Sequence, residues 1–190
     1  MRTFAALLPP DDVADDLDAF LDPRRAHAPF RWTAPEQVHL TLAFMPAVPD
    51  RALDELVDAL ARTAARRPAF EARIAGGGAF PDPASARVLF AGLETDDAGR
   101  DTLDRLARGA RDAAAHAGVE VDGQRFRPHL TVARLGRPAE VSNWVRLLDA
   151  YRGPVWRVDR LALVASHLGE GPRRRPRYKV VAELPLGADG

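Results

Sequence analysis

The sequence predicts a mixed α/β protein in which two similar lobes, each with a small sheet, face one another. Segments with strand character and segments with helical periodicity alternate through the chain, and no Pro/Gly/Ser-rich linker divides them. The apolar runs are too short and interrupted for a large doubly wound parallel sheet. A strand that contains His-Leu-Thr occurs once in each half. We therefore expect residues 1–190 to form one bilobal domain.

Periodicity places the elements of the first half. Apolar residues recur at helical spacing in two segments, and proline or paired arginines end each of them, which predicts two amphipathic helices. Apolar runs bounded by proline and glycine predict four strands, the last two around the loop GGGAFPDPAS. In chain order, the expected elements are strand 2–8, helix 11–23, strand 38–44, helix 50–67, strand 70–76 and strand 86–93.

The second half repeats this alternation. A long helix with a regular stripe of leucine and alanine is expected to end at Gly118, because glycine readily adopts the left-handed conformation of a helix C-cap. A motif strand, a short helix and two strands joined by the polar turn GEGPRRRP follow. In chain order, the expected elements are helix 96–117, strand 129–135, helix 140–148, strand 155–166 and strand 177–184.

Composition excludes several kinds of function. The chain has no cysteine, so disulfides, thiolate nucleophiles and cysteine-ligated zinc are excluded. The formal net charge is zero, so no global field attracts nucleic acid or a membrane. No segment has the roughly 20 apolar residues that a membrane span needs, and the N-terminus does not resemble a signal peptide. We expect a cytoplasmic protein.

The two His-x-Thr motifs carry the chemistry. In a strand, residues i and i+2 point to the same face, so His39 and Thr41 share one face, as do His129 and Thr131. By the same alternation Ala43 and Ala133 are expected beside them, leaving room for a ligand. If the lobes face each other, two imidazoles and two hydroxyls line one cleft. Histidine can act as acid or base near neutral pH, and threonine hydroxyls can bind an anion, which fits in-line attack on a phosphodiester.

Other reaction classes find little support. A lone His-x-Thr is a weak signal, since a strand histidine is more often structural, but two copies in matching contexts are unlikely by chance. Carboxylates that could complete a metal site do not neighbour either histidine, apart from Glu36, so we expect neither metal nor cofactor. Phosphate-binding loops, nucleophile elbows and dinucleotide fingerprints are absent.

These motifs and their surroundings resemble the 2H phosphoesterase superfamily, and most closely its RNA 2′,3′-cyclic phosphodiesterases, historically called 2′-5′ RNA ligases. The similarity includes RWTAPEQVHLTLAF, GGGAFPDPASARVLFAGL and FRPHLTVAR and extends over nearly the whole chain. Two departures are visible: Met45-Pro46 replaces Leu-Gly after the first motif, and Phe90 replaces a more usual tryptophan. We expect neither to touch the catalytic pattern, although the first could alter a loop over the cleft.

The resemblance implies a bilobal fold with pseudo-twofold symmetry, mostly antiparallel sheets and flanking helices around a central cleft. It also implies metal-independent hydrolysis of RNA 2′,3′-cyclic phosphate ends to 2′-phosphomonoesters. In that reaction His39 would donate a proton to the departing 3′ oxygen and His129 would activate water. Thr41 and Thr131 would hold the phosphate oxygens. From the residues alone, the two histidines form a symmetric pair.

Further residues have two readings each. Arg127 would lie on the cleft face and contact phosphate if the second motif strand began there; the alternative is that Pro128 breaks the strand pattern. Phe4, Trp32 and Tyr178 could stack on a base, with core packing the favoured reading for Phe4. The densest positive cluster, residues 173–175 with Arg177, could guide an RNA strand or form a solvated loop.

Three functions remain open at this point. The first is hydrolysis of RNA ends or small cyclic phosphates. The second is 2′-5′ ligation of RNA at the same site, and the third is a non-catalytic module that binds RNA or nucleotides. Nothing in the sequence demands more than a monomer.

Overall fold

The structure is a computed structural model that describes residues 1–123, 125–171 and 176–187. Within them the chain forms four α-helices and nine β-strands. The helices are α1 (Asp11–Arg25), α2 (Leu53–Ala65), α3 (Asp97–His116) and α4 (Ser142–Asp149). The strands are β1 (Thr3–Leu7), β2 (Arg31–Trp32), β3 (Leu40–Met45), β4 (Phe70–Phe80), β5 (Ala86–Glu94), β6 (Leu130–Ala139), β7 (Trp156–Val158), β8 (Arg160–His167) and β9 (Arg177–Pro185).

The mixed α/β class, the flanking helices and the antiparallel strands are confirmed, with differences in detail. Helix α1 continues two residues past Pro23, so this proline lies inside the helix instead of ending it. The first half of the expected glycine loop, residues 76–80, belongs to β4, which runs to Phe80. Glycine is required there because side chains press on the backbone: a Cβ on Gly78 would lie 2.3 Å from the ring of Phe90. Gly118 adopts a φ of +67° after α3, as predicted.

The described strands form one antiparallel sheet, so the expectation of a separate small sheet in each lobe is wrong. The strand order is β7-β4-β5-β6-β3-β1-β8-β9, and β2 pairs additionally with β6. The two motif strands, β3 and β6, are neighbours at the centre of this order. Their pairing joins the two halves of the sheet because hydrogen bonds between them satisfy backbone groups that two separate sheets would leave at exposed edges.

The two faces of the sheet are packed differently. Residues from all four helices join the strands in a large apolar core on one face, where side chains such as Leu56 and Leu106 are fully buried. Each buried leucine contributes about 1.5–3 kcal/mol to folding. Strand β1 shows the alternation between faces, because Ala5 and Leu7 join this core while Phe4 and Ala6 belong to a small cluster on the opposite face. The face opposite the helices is the one that carries the cleft.

One β-bulge follows each motif and interrupts the predicted alternation of side chains between the two faces. The register shifts by one residue in the pairing of β3 with β1 and in that of β6 with β5, so that one residue just after each motif threonine has no partner. A bulge reverses the inward and outward positions that follow it. Ala133 therefore packs in the core instead of beside the motif side chains, whereas Ala43 belongs to the core and also lines the cleft, as expected. Phe44 and Arg134 line the cleft as well.

Candidate active site

A cleft of about 770 Å³ lies on the face of the sheet opposite the helices. Thr41, His129 and Thr131 line it, together with Arg2 just before β1 and with residues of β4, β5, α3 and the segment that leads into β6. His39 does not line the cleft surface, but its charge interacts with that of His129 strongly enough to lower its own pKa. The structure therefore brings the two motifs together, although ninety residues separate them in the chain.

The pairing of β3 with β6 explains this meeting. The leucine of one motif lies directly opposite the leucine of the other. One residue to either side, an antiparallel register sets His39 opposite Thr131 and Thr41 opposite His129. Residues directly opposite each other share a face, so all four polar side chains lie on the cleft side. The two histidines are then diagonal neighbours about 7–8 Å apart, which leaves room for a group the size of phosphate.

Each imidazole is held by a backbone carbonyl two residues earlier. The Nδ1 atom of His39 lies 2.7 Å from the carbonyl oxygen of Gln37, and Nδ1 of His129 lies 2.7 Å from that of Arg127. Since a carbonyl oxygen only accepts hydrogen bonds, both Nδ1 atoms carry the proton and donate it. The Nε2 atom of each ring is therefore the nitrogen that can exchange a proton with a ligand.

Two aromatic rings fix the ring of His39. Phe4 stacks on it with a centroid separation of 4.5 Å and an interplanar angle of 24°. Tyr178, from β9, meets it edge-on at 5.4 Å. Phe4 is buried, as the core-packing reading predicted, and its contact is with a motif histidine. These rings exclude water from one side of His39 and restrict its orientation.

A second pair of aromatic rings packs against His129. Phe80 meets its imidazole edge-on at 4.9 Å, and Phe90 lies 5.5 Å away at 63°. The two phenylalanines also stack on each other at 4.5 Å. The expectation that the change at position 90 leaves the motif untouched is wrong, because β5 places this side chain beside His129. Only the pairing of β5 with β6 reveals the contact.

Burial and positive charge lower the pKa of both histidines. Desolvation is the largest cause for His39, whose pKa falls from 6.5 to about 4; the hydrogen bond to Gln37 opposes it, and the charges of His129 and Arg134 lower the pKa further. Desolvation also lowers the pKa of His129, again with help from Arg134 and against the hydrogen bond to the carbonyl of Arg127. Both rings are consequently neutral at pH 7 in the free protein.

The cleft is strongly positive although the chain has no net charge. This corrects the inference that charge would not attract an anionic ligand, since a zero total hides a local excess. The lining holds five arginines, which come from the residue before β1, from α3, from β6 and from the segment before β6, and a single carboxylate. These charged residues are Arg2, Arg111, Arg125, Arg127, Arg134 and Asp122. A low-dielectric cleft with one sign of charge concentrates ligands of the opposite sign.

Arg127 lines this cleft, but not from the strand face that the sequence suggested. Strand β6 begins only at Leu130, so Arg127 belongs to the loop before it rather than to a strand face. Its guanidinium lies 6.0 Å from the centre of the Phe80 ring, which itself contacts His129. Arg134 was missed altogether, because strict alternation would have turned it away from the motif face.

The remaining candidates lie elsewhere. Trp32 packs with Phe30 and Trp144, at centroid distances of 5.6 and 5.1 Å, and is not among the cleft residues. Residues 173–175 of the basic cluster lie outside the described residues. In the part of the chain that the structure describes, no three His, Asp or Glu side chains are grouped as a metal site would require. Over the same ranges, no helix has the length and apolarity needed to cross a bilayer.

Comparisons with known proteins identify chains that are similar to this one. The profile of the 2′-5′ RNA ligase superfamily matches residues 9–170. A Thermus thermophilus protein named RNA 2′,3′-cyclic phosphodiesterase is 31% identical over 191 residues, which cover 98% of this chain and 90% of that protein. A Geobacillus stearothermophilus protein of the same name is 30% identical over 161 residues; these cover 83% of this chain but only 48% of the relative, so the chain spans about half its length.

A solved structure gives the same result for the fold. The crystal structure of a Thermus thermophilus protein matches with a TM-score of 0.78 and 29% sequence identity, and the match covers 100% of both chains. The order of strands and helices is thus shared over the full length of the molecule.

Proposed function

Because this chain belongs to the 2′-5′ RNA ligase superfamily, we propose that it hydrolyses RNA 2′,3′-cyclic phosphate ends to 2′-phosphomonoesters without a metal ion. The observation that carries this proposal is the meeting of both His-x-Thr motifs on one face of the sheet, beside a positively charged cleft. The names of the relatives support the substrate. Residues 1–190 would act as a single domain, with each lobe contributing one motif.

The two histidines divide the proton transfers in this reaction. Nε2 of His129 accepts a proton from water as the water oxygen bonds to phosphorus. The bond from phosphorus to the 3′ oxygen breaks on the opposite side, and Nε2 of His39 gives that oxygen its proton. The phosphate stays on the 2′ oxygen. Each transfer typically contributes about 10²- to 10⁴-fold to the rate. The donor role of His39 and the base role of His129 follow the family pattern.

The acid role requires that ligand binding change the charge state of His39. Its pKa of about 4 leaves it neutral in the free protein at pH 7. An anionic phosphate beside the ring offsets the positive charge of Arg134 and favours the imidazolium, which raises the pKa. Binding of the anionic substrate would then be coupled to the uptake of one proton from solvent by His39, whereas both rings are neutral in the free protein.

The threonines and arginines bind the phosphate. Thr41 and Thr131 lie across the strand pair from His129 and His39 respectively, where their hydroxyls can donate to the two non-bridging oxygens. Arg134 adds positive charge near both imidazoles. Donors fixed before the reaction stabilise charge that develops in the transition state. Arg127 is positioned at the same cleft to contact phosphate or the RNA strand.

The deciding experiment is incubation with a short RNA that ends in a 2′,3′-cyclic phosphate, with and without EDTA. We expect a product with the phosphate on the 2′ oxygen and an unchanged rate in EDTA. A 3′-phosphate product, or a large loss of rate on chelation, would contradict the proposal. Tight binding without turnover would instead favour a nucleotide-binding module, and formation of 2′-5′ linkages as the main product would favour ligation.

A further inference from the structure

Two arginines stand directly opposite each other at the end of the cleft nearest His39. Strand β2 pairs with β6 so that Arg31 faces Arg134 and Trp32 faces Ala133. Strand β3 pairs with the same strand slightly further along, at Leu130. The seven residues between the two pairings, 33–39, place β2 beyond the first motif, on the side of His39.

Both arginines point to the cleft side of the sheet. In the neighbouring pair, Ala133 is fully buried in the helix-covered core, and Trp32 packs against that core. Adjacent residues in a strand alternate between faces, so the Arg31–Arg134 pair faces the other way. Arg134 lines the cleft itself, and both side chains are exposed.

In the described part of the chain, no carboxylate neutralises this pair. Among the described residues, neither guanidinium lies within ion-pair distance of an acidic side chain, whereas other arginines of the sheet and helices do, such as Arg73 with Glu94 and Arg105 with Asp101. Like charges directly opposite each other destabilise a sheet. An anion between the two guanidiniums would remove that repulsion and could accept hydrogen bonds from both.

We propose that Arg31 and Arg134 form a second phosphate site, which takes the phosphate on the 5′ side of the nucleoside whose cyclic phosphate occupies the two motifs. This rests on the proposed function. Because of the bulge after Thr131, Arg134 is the next cleft-facing position on β6, about 7 Å further along. Successive phosphates of an RNA strand are separated by a similar distance. The site therefore favours an RNA end over a nucleoside cyclic phosphate.

The test compares adenosine 2′,3′-cyclic phosphate with the same molecule carrying a 5′-phosphate, and with a dinucleotide that ends in a cyclic phosphate. The readout is the preference for the second phosphate, defined as kcat/KM of the substrate that carries it divided by kcat/KM of the substrate that lacks it. Arg31→Gln should lower this preference about tenfold, because a charged hydrogen-bonding partner is lost. Arg31→Lys should retain part of it. Comparing the 5′-phosphorylated nucleotide with the dinucleotide shows whether the site binds a terminal phosphate or an internal one.

Controls make the outcome specific. Arg62→Gln removes the same charge from α2, on the helix-covered side, and should leave the preference unchanged. A dinucleotide with a neutral methylphosphonate linkage should show no preference in the unaltered protein. The salt dependence of dinucleotide kcat/KM should also flatten in Arg31→Gln, by about 0.7 in the logarithmic slope for one lost phosphate contact. An unchanged preference in Arg31→Gln, or an equal loss on all substrates, overturns the second site.

Binding separates this inference from the proposed function. The dissociation constant of the 5′-phosphorylated dinucleotide product should rise about tenfold in Arg31→Gln and remain unchanged in Arg62→Gln. If the protein hydrolysed none of the cyclic phosphates but showed this Arg31-dependent binding, the hydrolase assignment would fail and the second site would stand. Turnover of all three substrates with no effect of Arg31 would leave the hydrolase and remove the site.

Discussion

Gly78 has no side chain, which leaves space for the ring of Phe90, and this ring packs against His129. Gly78 in β4 lies opposite Phe90 in β5, and a Cβ there would approach three atoms of the Phe90 ring at 2.3, 2.8 and 3.0 Å. The ring would have to move by about 1 Å to restore ordinary contact. It is confined by Phe80 at 4.5 Å and by His129 at 5.5 Å, so the displacement reaches the imidazole of His129.

We therefore expect Gly78→Ala to lower both stability and activity. Overpacking of this kind costs about 1–3 kcal/mol, which corresponds to a fall in Tm of about 3–10 °C for a chain of this size. A misplacement near 1 Å at a catalytic group can cost about 10²-fold in rate. The assays are thermal unfolding and kcat/KM on a cyclic-phosphate RNA, the latter at a temperature where the variant is fully folded.

Two further variants test the mechanism. Gly136→Ala, in β6, adds the same methyl group where no atom lies within 4 Å, and should change neither Tm nor kcat/KM. Gly78→Ala with Phe90→Leu removes the ring that the methyl group displaces, and should recover part of the stability lost by the single variant. If Gly78→Ala kept the Tm and kcat/KM of the unaltered protein, the argument that Phe90 positions His129 would be refuted.

Three further predictions concern the motif residues. His39→Ala and His129→Ala should each lower kcat by about 10²- to 10⁴-fold, and Thr41→Val should lower kcat by less. Steady-state kinetics would measure these changes. Full rates in both histidine variants would exclude acid–base catalysis by these residues. Because the pKa of His39 falls from 6.5 to about 4 on folding, the unfolded chain binds more protons between these values, so stability should decrease as pH falls from 6.5 to 4. Urea unfolding across this range should show a smaller decrease for His39→Gln. Arg134→Gln removes a charge that lowers both histidine pKa values, so the acidic limb of the kcat/KM profile should move to higher pH; an unmoved limb would show that this charge does not act on the imidazoles.

The sequence determined much of the fold because hydrophobic periodicity is a local signal. Strands and helices follow from spacings of two and about 3.6 residues, and these spacings are visible in any short window. The helix end at Gly118 followed from the conformational freedom of one residue type. The prediction of a loop at the glycine run was wrong because it used only local composition. The need for glycine inside β4 comes from Phe90, a residue of another strand.

The motif pairs were also predictable, up to the point where the strands cease to be regular. His39 and Thr41 share a face because only one residue separates them, and no bulge intervenes. Three residues past the second threonine the prediction failed, since the bulge in β6 depends on its hydrogen bonds to β5. Local sequence does not contain that register, so Arg134 could not be assigned to the cleft.

By itself, the sequence determined which residues are the candidates for the chemistry: two imidazoles and two hydroxyls, with an aliphatic stripe behind each pair. Only the tertiary structure decided how they meet. The pairing of β3 with β6 brings the motifs together, β1, β4, β5 and β9 supply the aromatic rings around each histidine, and β2 brings Arg31 opposite Arg134. These are contacts between segments far apart in the chain, and they depend on strand register, which is fixed when the whole sheet buries its core.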